Sequence, residues 1–257
     1  MTCKICSSRI NLFQRAIILN KYNVDYFKCD HCGFVQTEKP YWIDEAYKNS
    51  INISDTGIIT RNIYLSKQTA AIIYFFFDKN AIFLDFAGGY GILTRLMRDI
   101  GFDFYWHDLY SKNLFARGFE YAESIKDIEL ITAFECIEHF VEPMSEIEKM
   151  IKTTRNILFT TELIPASNPK PEEWWYYGLD HGQHVCFYTK KSLEYIAQKF
   201  KLQLLSYGSI HLLTNKYINQ NYFTLLIKFA KYISPVIVSR NMKSKIHSDM
   251  ELIRSRK

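Results

Sequence analysis

The 257-residue sequence predicts an α/β chain: a doubly wound, Rossmann-like sheet of about seven strands behind a small N-terminal cysteine module. Three observations carry that reading. A short apolar run, Ile82-Phe83-Leu84, meets Asp85 and the clustered glycines Gly88, Gly89 and Gly91, and a helical pattern begins at once. An aromatic-rich strand pattern then ends in a second carboxylate, Asp108, about twenty residues on, the spacing of a βαβ unit. Beyond it, strand and helix patterns keep alternating to about residue 215.

The elements follow in order. Cys3-x-x-Cys6 and Cys29-Asp30-His31-Cys32 are paired-cysteine knuckles joined by a loop of about twenty residues, close to four-cysteine zinc spacing. Two residues between cysteines let both thiolates face one tetrahedral ion, and two pairs fill its shell, so the expected role is structural. Four small core residues or a redox pair are the competing readings. Residues 26–28 and 33–36 read as a hairpin holding the metal, and Pro40 closes this zinc module at residues 1–40. Residues 41–80 read as a helical lead-in, with a short helix at 42–47, a turn at Asp55-Thr56-Gly57 and helical recurrence over 63–77.

Residues 81–215 then hold the large domain. The first strand runs into the glycines, and a helix over 92–100 ends at Gly101. Strands are expected at 103–108, 127–134, 156–161, 202–207 and 211–214, with helices at 142–152 and 189–200, the latter capped by Thr189. The run Trp174-Trp175-Tyr176-Tyr177 is either a plug over the sheet end or a lid over a ligand. Residues 216–257 read as an apolar helix and a basic tail. Lys228, Lys231 and Pro235 interrupt the apolar run, so a core or oligomer helix is expected rather than a membrane span, with peripheral membrane contact left open. The tail from Arg240 is expected to be frayed or solvent-exposed.

Charge and cysteine usage bound the function. The net charge of +5 is modest, and cations gather in the last eighteen residues rather than in a stripe with aromatics between them. No nucleic-acid partner is expected. The opening residues lack a basic region and an apolar stretch of signal-peptide type, so the reading is cytoplasmic. Six cysteines in a reducing compartment are ligands or core residues rather than disulfides.

The stretch Asp85-Phe86-Ala87-Gly88-Gly89-Tyr90-Gly91 resembles the first motif, D/E-x-G-x-G-x-G, of class I S-adenosylmethionine-dependent methyltransferases. Ala87 stands where the first glycine is usual. The resemblance implies S-adenosylmethionine as cofactor, with Asp85, Ala87, Gly88, Gly89 and Gly91 forming its loop and Asp108 holding the ribose hydroxyls. Glu135, at the next strand-to-helix junction, is counted with the cofactor contacts, and Glu138-His139 resembles the family's pair at the substrate mouth. His139 could equally cap or pack a helix start.

A narrower resemblance, to methyltransferases with an N-terminal zinc module that act on sugars, covers roughly residues 1–215. Within it, residues 181–189 resemble the Tyr-x-Glu-His-x-x-Tyr-Phe-Ser stretch of sugar C-methyltransferases, placing His184 on the family's histidine. His181 replaces the tyrosine and Gln183 the glutamate, so O- or N-methylation stays open beside C-methylation. The candidate catalytic residues are therefore His184, His181 and His139, the cofactors S-adenosylmethionine and structural zinc, and the acceptor a sugar nucleotide or glycan. The alternative is a catalytically idle module that binds cofactor and zinc.

Overall fold

The computed structural model describes residues 1–48, 51–52 and 55–256; residues 49, 50, 53 and 54 of the expected lead-in, and Lys257 of the expected tail, lie outside the described residues. The N-terminal strands are β1 (Ile10–Ile18), β2 (Tyr22–Cys29) and β3 (Val35–Thr37), followed by helices α1 (Ile43–Ala46) and α2 (Ile58–Phe76). Then come β4 (Ile82–Phe86), α3 (Ile92–Ile100), β5 (Asp103–His107), β6 (Ile128–Ala133), α4 (Pro143–Thr153) and β7 (Ile157–Thr160). The chain continues through β8 (Cys186–Phe187), α5 (Lys190–Lys199), β9 (Gln203–Tyr207), β10 (Ile210–Thr214), α6 (Gln220–Asn241) and α7 (Ile246–Ser255).

The large sheet has the order β5-β4-β6-β7-β10-β9. Its first four strands are parallel neighbours, and β10 runs antiparallel to both β7 and β9. The central strands are covered on both faces, which is why β6, β7 and β10 read as near-continuous apolar runs. One core cluster packs α4 and α5 against one face, and the other packs α2, α3 and α6 against the opposite face.

This sheet has six strands where about seven were expected. Beside β5 there is a single parallel bridge, Trp106 to Glu120. The reason is local: Asn113 bonds Glu120 and accepts from Ala116 N, while Glu120 also accepts from Gly118 N. Side chains that take up backbone groups in this way compete with a strand ladder.

The segment between the cysteine pairs is not a loop. It is a β1-β2 hairpin paired from Ile10–Cys29 to Ile18–Tyr22, with a register shift between Leu12 and Gln14. Leu19 and Asn20 form its turn at φ 54° and 53°, the paired positive φ values of a type I′ turn. The expected hairpin of 26–28 with 33–36 is present as β2-β3, Tyr26 facing Thr37. A fourth strand comes from far along the chain: β3 pairs antiparallel with β8. The cysteine module therefore does not end at residue 40, because its sheet is completed by residues 186–187 and its side chains share a core with Tyr177, Phe187 and Tyr188.

The tail is solvent-exposed along most of its length, as one half of the expectation had it, but α7 is a docked helix rather than a frayed end. α7 docks through Asp249, which is 4% exposed and accepts two bonds from Arg98 and one from Arg95. Arg98, itself 3% exposed, further bonds Asp103 and Phe104 O and lies 3.6 Å over the Phe119 ring. Among the described residues α6 alone has the length and hydropathy of a membrane span, at a mean of 1.3, with 33% of that window buried.

Candidate functional site

The glycine loop leaves β4 at its carboxyl end, where ligands bind in open parallel sheets. Ala87, Gly89 and Gly91 have φ of 55°, 53° and 84°. The usual glycine at position 87 thus has a backbone reason, and alanine holds the left-handed conformation at some strain. The other glycines do different work. A Cβ at Gly88 would come 2.7 Å from Asp85 Oδ2 and 2.8 Å from Trp106, and one at Gly91 would come 2.7 Å from Asn113 Oδ1. Gly89 has nothing within 4 Å of that position, so it presents the open face of the loop.

Asp85 was expected among the cofactor contacts, but its side chain faces inward. One carboxylate oxygen accepts from Thr94 of α3 at 2.9 Å and the other from Thr132 of β6 at 3.0 Å. It is 2% exposed, and burial raises its pKa to about 6 against the lowering by those hydroxyls. Asp85 pins the loop to the sheet and does not reach the open face.

Asp108 directly follows β5, one residue beyond the strand rather than within it. Its Oδ2 accepts from Gly89 N at 2.9 Å, and its Oδ1 accepts from Tyr110 N and Ser111 N, both at 2.7 Å. A carboxylate offers about four acceptor positions, so these three bonds leave room for a ligand hydroxyl. Glu135, just past β6 at φ 51°, exchanges bonds of 2.8 Å with Thr160 and stands 3.7 Å from Arg61.

A second group of side chains lies beside the glycine loop and Asp108. His139 ends a short 3-10 turn after β6, and His181 and His184 follow the aromatic run. The fold brings all three together: the His184 ring centroid is 4.8 Å from that of His139 and 4.9 Å from that of His181. Tyr47, from the end of α1, meets His139 Nδ1 at 2.8 Å and packs on Tyr110, the neighbour of the Asp108 loop. These contacts join the Asp108 loop to the imidazoles.

Polarity in the cluster is set by burial. His184 Nδ1 lies 2.6 Å from Tyr176 O. A carbonyl can only accept, so Nδ1 carries the hydrogen and Nε2 keeps its lone pair. Burial lowers the pKa of His184 well below the ordinary value, lowers His139 to about 4 and lowers His181, so all three are neutral near pH 7. Glu138 goes the other way: burial first, and the Glu135 charge second, raise its carboxyl to about 8.

Sequence reasoning had paired Glu138 with His139 but had not placed it among the site residues. Its side chain is 0% exposed, neither oxygen has a hydrogen-bond partner among the described residues, and Oε1 stands 4.0 Å from His139 Nε2. The signal was an acid set directly beside a candidate histidine in an otherwise apolar turn. Tyr47 and Tyr176 were missed because only the fold brings them to the cluster. Gln183, in place of the family's acid, donates through Nε2 to Ala46 O, which holds the helix that carries Tyr47.

The aromatic run divides. Tyr176 and Tyr177 are buried as a plug, Tyr177 packing on Tyr26 and Phe187, whereas Trp175 is 76% exposed.

The four cysteines converge. Sulfur separations are 3.6 Å for Cys3–Cys32, 3.4 Å for Cys6–Cys29 and 3.5 Å for Cys6–Cys32. Bonds of about 2.3 Å to a tetrahedral zinc place sulfurs roughly 3.8 Å apart. Ile5 N and Cys32 N each approach a cysteine sulfur at 3.4 Å. The donor set fits zinc, and among the described residues the group consists of these four thiols.

A glycine loop and a strand-end acid over the carboxyl ends of a parallel sheet define a nucleotide-type cofactor domain. The family described as methyltransferase domain matches residues 62–207, more than half of the chain, and the chain belongs to it, carrying a S-adenosylmethionine-dependent methyltransferase domain. The curated proteins contain no match. Solved structures of similar fold include the plantazolicin methyltransferase BpumL in complex with a monoazolic desmethylPZN analog and SAH, at 12% identity and TM-score 0.51, covering 80% of this chain and 89% of that one. Another is magnesium protoporphyrin IX methyltransferase ChlM from Synechocystis PCC 6803 with bound SAH, at 10% identity, TM-score 0.45, and coverage of 69% and 98%. TnmH is 14% identical at TM-score 0.46, over 67% of this chain and 60% of its own length. At such identities the likeness is one of fold, and it rests on the first of these structures.

Proposed function

We propose that the protein transfers the methyl group of S-adenosylmethionine to a hydroxyl of a sugar nucleotide or glycan, with His184 accepting the hydroxyl proton. When bound, the cofactor supplies an activated sulfonium methyl, so the chain must provide placement and a proton acceptor. The observation that carries the reading is the neutral imidazole cluster, in which His184 has Nδ1–H held by Tyr176 O and Nε2 unprotonated. Gly89 and Asp108 would receive the cofactor, and Ala87, Gly88, Gly91 and Asp85 would keep that loop in shape. Glu135 stands at the same mouth beside Arg61.

Loss of the acid at position 183 favours a hydroxyl over a carbon acid, because Gln183 is engaged with Ala46 O and cannot take a proton. Exposed Trp175 offers an apolar face of the kind on which sugar rings stack. The four cysteines would hold one structural zinc. The deciding experiment incubates the protein with labelled S-adenosylmethionine and a panel of sugar nucleotides, read by mass spectrometry. Label in a sugar hydroxyl is the expected result. Tight cofactor binding with no label in any acceptor would leave the idle cofactor-binding module instead.

A further inference from the structure

The inner face of α6 buries Phe223, Leu226, Ile227, Ala230, Ser234 and Ile237, and the helix packs against α2 and β9. Its outer face does not look like a solvated surface. Tyr222, Leu225, Phe229, Tyr232 and Val236 are each between 40% and 69% exposed. Their spacing of three and four residues puts them on one continuous stripe. Lys228 and Lys231 lean over the rings of Phe229 and Tyr232, with nitrogens 5.8 and 4.7 Å from the ring centroids.

Charge identifies what covers this stripe. Residues 215–248 hold six cations, Lys216, Lys228, Lys231, Arg240, Lys243 and Lys245, and no acid, Lys216 being paired with Glu129. The whole chain has a net charge of +5, so everything outside this segment sums to −1. A second copy would bring two like-charged stripes face to face, which opposes association. An anionic lipid surface satisfies both features: the stripe enters the headgroup boundary while the lysine ends reach the phosphates. Such a helix would lie on the surface rather than cross it, because its other face is committed to the protein core.

We propose that the outer stripe of α6 is a docking surface for an anionic membrane leaflet. The test is cosedimentation of the full chain with phosphatidylcholine vesicles, with and without phosphatidylserine, at low and high salt. Binding that needs phosphatidylserine and weakens with salt is expected. Lys228→Glu with Lys231→Glu should weaken it by about thirtyfold or more, and Phe229→Asp with Tyr232→Asp should abolish it. Both variants change exposed residues, so circular dichroism and S-adenosylmethionine affinity should match wild type. Absence of binding to phosphatidylserine vesicles, equal binding to phosphatidylcholine alone, or unchanged binding by either variant would overturn the proposal. So would a dimer in light scattering that Phe229→Asp dissolves while vesicles stay unbound. None of these outcomes touches the methyl-transfer reading, which is assayed in solution.

Discussion

His184 is where the chemistry proposed here can be lost with least disturbance of the fold. His184→Gln should leave cofactor affinity unchanged in calorimetry and lower turnover roughly a hundredfold or more, the effect of a lost general base. Turnover within a few-fold of wild type at saturating acceptor would remove its role. Glu138 gives a second, independent readout. Its folded pKa of about 8 lies above the unfolded value of about 4.3, so between them the native state holds a proton that the unfolded state releases. That contribution to stability is full below the lower value and is lost as pH rises through the higher one. The melting temperature of Glu138→Gln relative to wild type should therefore climb from about pH 5 to about pH 8 and then level. Taking the difference removes the opposite contribution of the buried histidines, and a flat difference would show that Glu138 is ionised throughout. Ala87 is simpler: Ala87→Gly relieves the left-handed conformation and should stabilise by about 1 kcal/mol in denaturant unfolding.

At the scale of elements, α7 is held by one buried ion pair more than by apolar packing. Asp249 is the only residue of α7 that is buried among those described, and it meets Arg98 at two points. Burial alone would raise its pKa, but the bonds from Arg98 and Arg95 outweigh it and the net shift is downward. Asp249→Ala leaves a buried guanidinium short of its partner, and removing one member of such a pair typically costs about 3–5 kcal/mol. Chemical denaturation should read that loss, and hydrogen exchange should find residues 246–255 opening first. Loss below about 1 kcal/mol would mean that Arg98 rehydrates freely when the helix undocks.

For the whole molecule, the β3-β8 pairing makes the cysteine site part of one structure. A separable module would let the large domain survive metal loss. Here Thr189, the cap of α5, donates to Cys32 O at 2.6 Å, and the module shares its core with Tyr177 and Phe187. Chelation, or Cys29→Ser, should therefore lower the single unfolding transition of the entire protein. Elemental analysis should find one zinc per chain before treatment, and two separate transitions would show that the halves fold apart.

The sequence by itself determined the elements whose signals are local. Residues 82–91 state a strand, a left-handed loop and a helix start, and the cysteine spacing states a ligand set, because each depends on neighbours a few residues away. Tertiary structure decided what depends on distant partners. Asp85 and Asp108 look alike as strand-end acids, yet Thr94 and Thr132 turn the first inward while backbone N–H groups gather on the second. The six strands marked by local pattern are the six of the large sheet, and beyond β5 the bonds around Asn113 and Glu120, which no periodicity records, accompany a lone bridge among the described residues. The tail was fixed by Asp249 finding Arg98 across about 150 residues, an attraction between two charges that composition reads only as a basic end. The imidazole cluster is of the same kind. His139 and His184 were each legible as candidates, but their contact, and the buried carboxyl of Glu138 beside them, exist only because β6 and the segment before β8 end at the same edge of the fold.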